Sequence, residues 1–99
     1  MKRVVVVEDE RVFRELLCEY LIRVAKFSVA GQFGNGREAL AYCEANPVEA
    51  VILDLVVPGL NGREVIRNLR RHCPEVRICV LSGNLTREAV MEIYDLGVH

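Results

Sequence analysis

An α/β domain built on a parallel sheet is the fold class that the sequence predicts, and three observations predict it. Short apolar runs rich in β-branched residues alternate with longer stretches in which apolar residues recur every three or four positions. The runs are continuous rather than alternating, as expected of strands covered on both faces. Two of them end in carboxylates, Glu8-Asp9-Glu10 after the first and Asp54 after the third, at the edge where open α/β sheets bind their ligands.

The buried strands are read at residues 3 to 7, 48 to 53 and 76 to 81. A half-polar run, Phe27 to Phe33, reads as an outer strand. From Arg11 to Ala25 the set Val12, Phe13, Leu16, Leu17, Tyr20, Leu21 and Val24 gives a first helix with one wide apolar face. A second helix runs from Asn35 or Gly36 to Asn46, with Ala39, Leu40 and Cys43 inward and Pro47 stopping it. A third begins near Asn61, a good cap, and presents Val65, Ile66 and Leu69 before ending at Cys73-Pro74. A fourth starts after Thr86 and carries Ala89, Val90, Ile93 and Tyr94 to a stop at Gly97. The order β-α-β-α-β-α-β-α calls for right-handed crossovers and helices on both faces of the sheet.

With 99 residues there is room for one small domain. A chain 52% hydrophobic and 27% charged has the makings of a core, and is neither disordered nor membrane-embedded. A net charge of −1 gives no overall field towards nucleic acid or an acidic membrane. The amino-terminal run, four apolar residues before Glu8, is too short for a signal peptide or a membrane span. Cys18, Cys43, Cys73 and Cys79 stand singly in apolar patterns without metal-ligand spacing, and read as buried thiols of a cytoplasmic protein.

Carboxylates gathered on one rim repel one another, and a hard divalent cation is the usual remedy. Mg²⁺ suits a site of a few carboxylates, a carbonyl, water and a substrate phosphate. A single acid at a strand end more often just faces water. Acids at the ends of two adjacent strands are a stronger signal. Ser82 ends the last apolar run on the same rim, where its hydroxyl reaches a phosphoryl oxygen or simply forms a turn. Pro58, Gly59 and Gly62 shape the loop after Asp54.

This combination resembles the receiver domain of two-component response regulators. The matching residues are Glu8-Asp9, the pattern Asp54…Pro58…Gly62, and Ser82-Gly83, in that order along the chain. The resemblance implies a three-layer flavodoxin-like (CheY-like) fold with strand order 2-1-3-4. It makes Asp54 the phosphoacceptor, Asp9 a direct Mg²⁺ ligand, Glu8 a ligand directly or through water, the Val56 carbonyl a further ligand, and Ser82 the hydroxyl that moves towards the phosphoryl group. The implied partner is a sensor histidine kinase or phosphotransfer protein. The implied role is a signalling switch that catalyses only its own phosphoryl transfer and slow dephosphorylation, so it is not a turnover enzyme. An apolar Val56 two residues past Asp54 is expected to orient attacking water poorly.

The sequence also departs from that family. Receivers continue with a fifth strand, a lysine at its end and a fifth helix, whereas this chain stops at Gly97-Val98-His99, and Lys2 and Lys26 lie at the wrong places. The expectation is a receiver domain over residues 1–99, incomplete at its carboxyl end, that belongs to a longer chain or completes itself as a homodimer or by segment exchange. The apolar edge Val76 to Leu81 would be the surface used.

Three rival readings stay open. Gly34-Asn35-Gly36-Arg37-Glu38-Ala39 has the form of a dinucleotide fingerprint, on a chain too short for a full dinucleotide fold. An aspartyl-nucleophile phosphatase would place a second Asp where Val56 stands. A degenerate receiver would bind a partner without being phosphorylated. The basic third helix, with Arg63, Arg67, Arg70, Arg71 and His72, suits its own carboxyl end, and no groove-reading element accompanies it, so direct nucleic-acid binding is not expected.

Overall fold

Val4, Val5, Val6 and Val7 are all but inaccessible to solvent and form the middle strand on which the domain is assembled. Burying each valine side chain contributes roughly 1.5–3 kcal/mol, which fixes this strand as the centre of the core. The computed structural model describes residues 2–54 and 62–81. In chain order these form β1 (Arg3–Val7), α1 (Arg11–Arg23), β2 (Ser28–Phe33), α2 (Gly36–Ala45), β3 (Ala50–Asp54), α3 (Gly62–His72) and β4 (Arg77–Leu81). The four described strands are parallel and ordered β2-β1-β3-β4, which bears out the 2-1-3-4 winding.

The alternation of side chains along β1 divides the core in two. Val4 and Val6, with Ile52 of β3 and Cys79 of β4, pack on Leu17, Cys18 and Leu21 of α1. Val5 and Val7, with Val51 and Leu53, pack on Ala39 and Cys43 of α2 and on Val65 and Leu69 of α3. The molecule is therefore three-layered, with α1 on one face and α2 and α3 on the other.

The helices start and stop for local reasons. Asn35 caps α2, its Oδ1 accepting from the amides of Arg37 at 2.8 Å and Glu38 at 3.3 Å. Asn46 and Pro47 end that helix, as a proline's missing donor requires. Beyond α1 the chain reverses at Lys26, whose φ of 61° is left-handed, and the Phe27 amide returns to the Leu21 carbonyl at 2.9 Å. On β2, Ala30 is the extra residue of a bulge, since Val4 pairs with Val29 and Val5 with Gly31. The Ala30 carbonyl accepts from the Tyr42 hydroxyl at 3.2 Å. Outward polar contacts of this kind are what an edge strand allows.

Several boundaries and faces differ from those read in the sequence. β3 begins at Ala50 rather than Val48, although the Glu49 backbone already meets both neighbours, its amide donating to the Arg3 carbonyl at 2.8 Å and its carbonyl accepting from the Arg77 amide at 3.0 Å. The inward stripe of α1 is Leu17, Cys18 and Leu21, continued by Ala25 beyond the helix end. Val12, Leu16 and Val24 are more than half exposed, and Phe13 and Tyr20 are also accessible. Apolar residues cover more of the helix circumference than one face of the sheet can touch, so only the strip facing the sheet is covered. Cys73 is half-buried rather than buried, just past α3, where its thiol donates to the Cys43 carbonyl at 3.6 Å. Among the described residues the four cysteines are free thiols, and no helix is long and apolar enough to cross a membrane. The Asn61 cap, the fourth helix, and Val56, Pro58 and Ser82 lie outside the described residues. Gly62 is buried as the first residue of α3.

Candidate functional site

In the parallel ladder Val7 stands opposite Leu53, so the next residue of each strand, Glu8 and Asp54, emerges side by side at the carboxyl rim. Glu8 is 7% exposed and Asp54 9%, while Asp9 lies open to solvent on the bend that follows β1. One oxygen from each of Glu8, Asp9 and Asp54 falls within 4.8 Å of the other two. The two strand ends that the sequence singled out thus bring their acids together.

The electrostatics of this rim are strained by like charge. Burial pushes the Glu8 carboxyl up to about 7, helped by a side-chain hydrogen bond with Asp54 and by the negative charges of Asp54 and Asp9; a hydrogen bond from the Asp9 backbone works against the rise. Glu8 Oε2 is buried with no hydrogen-bond partner. An orphaned carboxylate oxygen in a cluster of acids costs free energy unless a proton or a cation joins it. The donor set is all oxygen, which fits a hard divalent ion of the Mg²⁺ class. These residues fit such an ion on their own chemistry.

Glu10, the third acid of the run, does different work. Its carboxylate turns back to cap α1, accepting from the amides of Val12 at 3.3 Å and Phe13 at 2.7 Å. The backbone beneath the site is also tied down: the Glu8 amide donates to the Phe33 carbonyl at 2.9 Å, and the Glu8 carbonyl accepts from Arg14 Nη1 at 2.8 Å. Sequence reasoning missed Arg14. The available signal was an arginine in the second turn of a helix that starts directly after an acidic strand end, and that pattern alone does not say where the side chain goes.

A family model of the response regulator receiver domain matches residues 4–99, and the chain belongs to that family: it is the receiver domain of a two-component response regulator. Phosphorylation, Mg²⁺ binding and signal transduction are typical of the family. The chemotaxis protein CheY of Thermotoga maritima is 34% identical over 97 residues, which cover 97% of this chain and 79% of CheY. The response regulator UvrY of Escherichia coli O6:H1 (strain CFT073) is 30% identical over 97 residues, 98% of this chain but 44% of UvrY. The chain therefore spans less than half the length of that relative. Among solved structures, the signal receiver domain of NarL from Mycobacterium tuberculosis is 27% identical with a TM-score of 0.78, the match covering 97% of this chain and 77% of that one. A LuxR-family DNA-binding response regulator from Staphylococcus aureus reaches a TM-score of 0.80 at 18% identity, covering 98% of this chain and 81% of that one, which is a likeness of fold alone.

Proposed function

We propose that Asp54 is the phosphoacceptor of a signalling switch, with Mg²⁺ held by Asp9, Asp54, Glu8 and the Val56 carbonyl. The observation that carries this reading is the meeting of Glu8, Asp9 and Asp54 within 4.8 Å, with a buried Glu8 oxygen lacking any partner. An Asp54 carboxylate oxygen forms a new bond to phosphorus as the bond to the donor breaks, and the departing imidazole or acyl oxygen keeps the electron pair. Mg²⁺, when bound, neutralises the carboxylates and the phosphoryl oxygens that otherwise repel one another. The chain's own part is to hold Asp54 at a fixed strand end, nearly shielded from water, with Asp9 open above it. Ser82 is assigned the hydrogen bond to the phosphoryl oxygen that follows transfer, and Pro58 and Gly62 the shaping of the loop between.

The donor in this reading is a phosphohistidine of a sensor kinase or phosphotransfer protein, or a small acyl phosphate. The product adds a dianionic group at a loop junction, which shifts the domain between two surface states. The protein acts as a switch and consumes its donor stoichiometrically. A cytoplasmic location belongs to the same reading and is supported by the free thiols.

The test is incubation with acetyl phosphate or beryllofluoride and Mg²⁺, comparing the natural chain with Asp54→Asn. A phosphoryl adduct, or a beryllofluoride-dependent spectral change, is expected in the natural chain alone. Equal behaviour of the two would leave only the partner-binding reading.

A further inference from the structure

Arg14 reaches across the site's edge from α1. Its Nη1 donates to the Glu8 carbonyl at 2.8 Å and its Nε to Gln32 Oε1 on β2 at 3.4 Å. The same Glu8 residue gives its amide to Phe33, so the peptide groups on either side of its side chain are both fixed. Gly34 leaves room for the guanidinium: a Cβ there would lie 3.0 Å from Arg14 Nη1, 3.7 Å from the Asp9 Cα and 3.8 Å from the Glu8 carbonyl oxygen. The guanidinium is thus a half-buried brace between the ends of β1 and β2, wedged over a glycine.

We propose that Arg14 is a positioning residue of the acidic site: by holding the Glu8 carbonyl it fixes the direction in which the Glu8 and Asp9 carboxylates leave β1. The inference rests on the reading of Glu8, Asp9 and Asp54 as a Mg²⁺ site. The planar guanidinium fork suits the task, because two of its N–H groups meet oxygens on two different strand ends at once. An ammonium on a flexible stem makes such contacts one at a time. The polar groups that orient metal-binding side chains from behind are worth about 10–100-fold in metal affinity.

A positioning role and a simple charge effect predict opposite signs. A cation beside an acidic cluster opposes the arrival of another cation, so deleting the charge alone tightens Mg²⁺ binding. Deleting a brace weakens it. Calorimetric titration with Mg²⁺ at fixed pH and salt is therefore expected to show Arg14→Met binding about tenfold or more weakly than the natural chain. Arg14→Lys should recover part of that loss, and Gly34→Ala, whose methyl presses the end of the guanidinium aside by a few tenths of an ångström, should weaken binding in the same direction but by less. Thermal melts without metal establish that each variant is folded; if Arg14→Met is not, Arg14→Lys and Gly34→Ala carry the test. Binding by the folded variants that equals or exceeds the natural chain's overturns the proposal. Asp9→Asn is the control: if it leaves Mg²⁺ binding unchanged, the reading of the site fails and the positioning role falls with it.

Discussion

The carboxyl of Glu8 is hydrogen-bonded to that of Asp54, and the two are the buried acids at the ends of neighbouring strands. The negative charge of Asp54 makes an ionised Glu8 harder to hold. The rim therefore holds unfavourable electrostatic free energy that a proton on Glu8, a cation or a loss of charge relieves.

The first prediction concerns pH. The folded-state value of Glu8 is raised from 4.5 to about 7, so its contribution to stability is fully present below 4.5 and is lost as the pH rises through 7. In the metal-free protein, the denaturation midpoint should fall between about pH 5 and 7.5 relative to that of Glu8→Gln, which has no such proton to lose. Mg²⁺ should flatten the curve, and its binding near pH 6.5 should release a proton, visible as a calorimetric heat that depends on the buffer. Parallel curves for the two metal-free proteins would show that Glu8 is ionised throughout.

Asp54→Asn removes one of the crowded charges and keeps the shape. Without metal this variant should be more stable than the natural chain at pH 8, by about 1 kcal/mol or more. It should lose Mg²⁺ affinity and phosphoryl acceptance together. Urea denaturation with and without Mg²⁺ reads both effects, and a less stable variant at pH 8 without metal would contradict the picture of mutual repulsion.

Two leucines of α1 separate the covered strip from the open one. Leu21 is fully buried and Leu16 is 60% exposed. Leu21→Ala should cost about 2–5 kcal/mol through lost transfer energy and the cavity left behind. Leu16→Ala should stay within roughly 0.5 kcal/mol, as surface changes do. Chemical denaturation measures both, and a large loss at Leu16 would mean that this face is covered in solution.

Asn35→Ala should cost about 1 kcal/mol, the usual worth of a cap side chain that holds two amides. Asn35→Asp should restore the cap. If the two variants melt alike, the cap contributes nothing.

The fold was legible because its strands are unusually plain. Val4 to Val7 and Val51 to Leu53 carry almost no polar interruption, Pro47 marks the stop after α2, and parallel pairing follows from the alternation of elements. The pairing of Glu8 with Asp54 was legible for the same reason, since strand ends are visible in sequence and adjacent ends meet. The covered strip of α1 was not, because Leu16 and Leu17 are chemically identical and only the position of the sheet tells them apart. Nor was the brace at Arg14, which depends on the distance from a helix turn to a carbonyl and on the room that the missing Cβ of Gly34 leaves for the guanidinium. The raised proton affinity of Glu8 likewise comes from burial, which no single residue announces.

Glu10 sets a limit on how that corner can rearrange. Its side chain fastens the first turn of α1 while its backbone continues directly from Asp9, so the acidic loop and the helix start meet at one residue. A rotation at the Asp9–Glu10 junction large enough to redirect the Asp9 carboxylate would pull the cap from Val12 and Phe13. The cap of α1 and the Asp9 carboxylate are therefore set by two consecutive residues of one short backbone stretch.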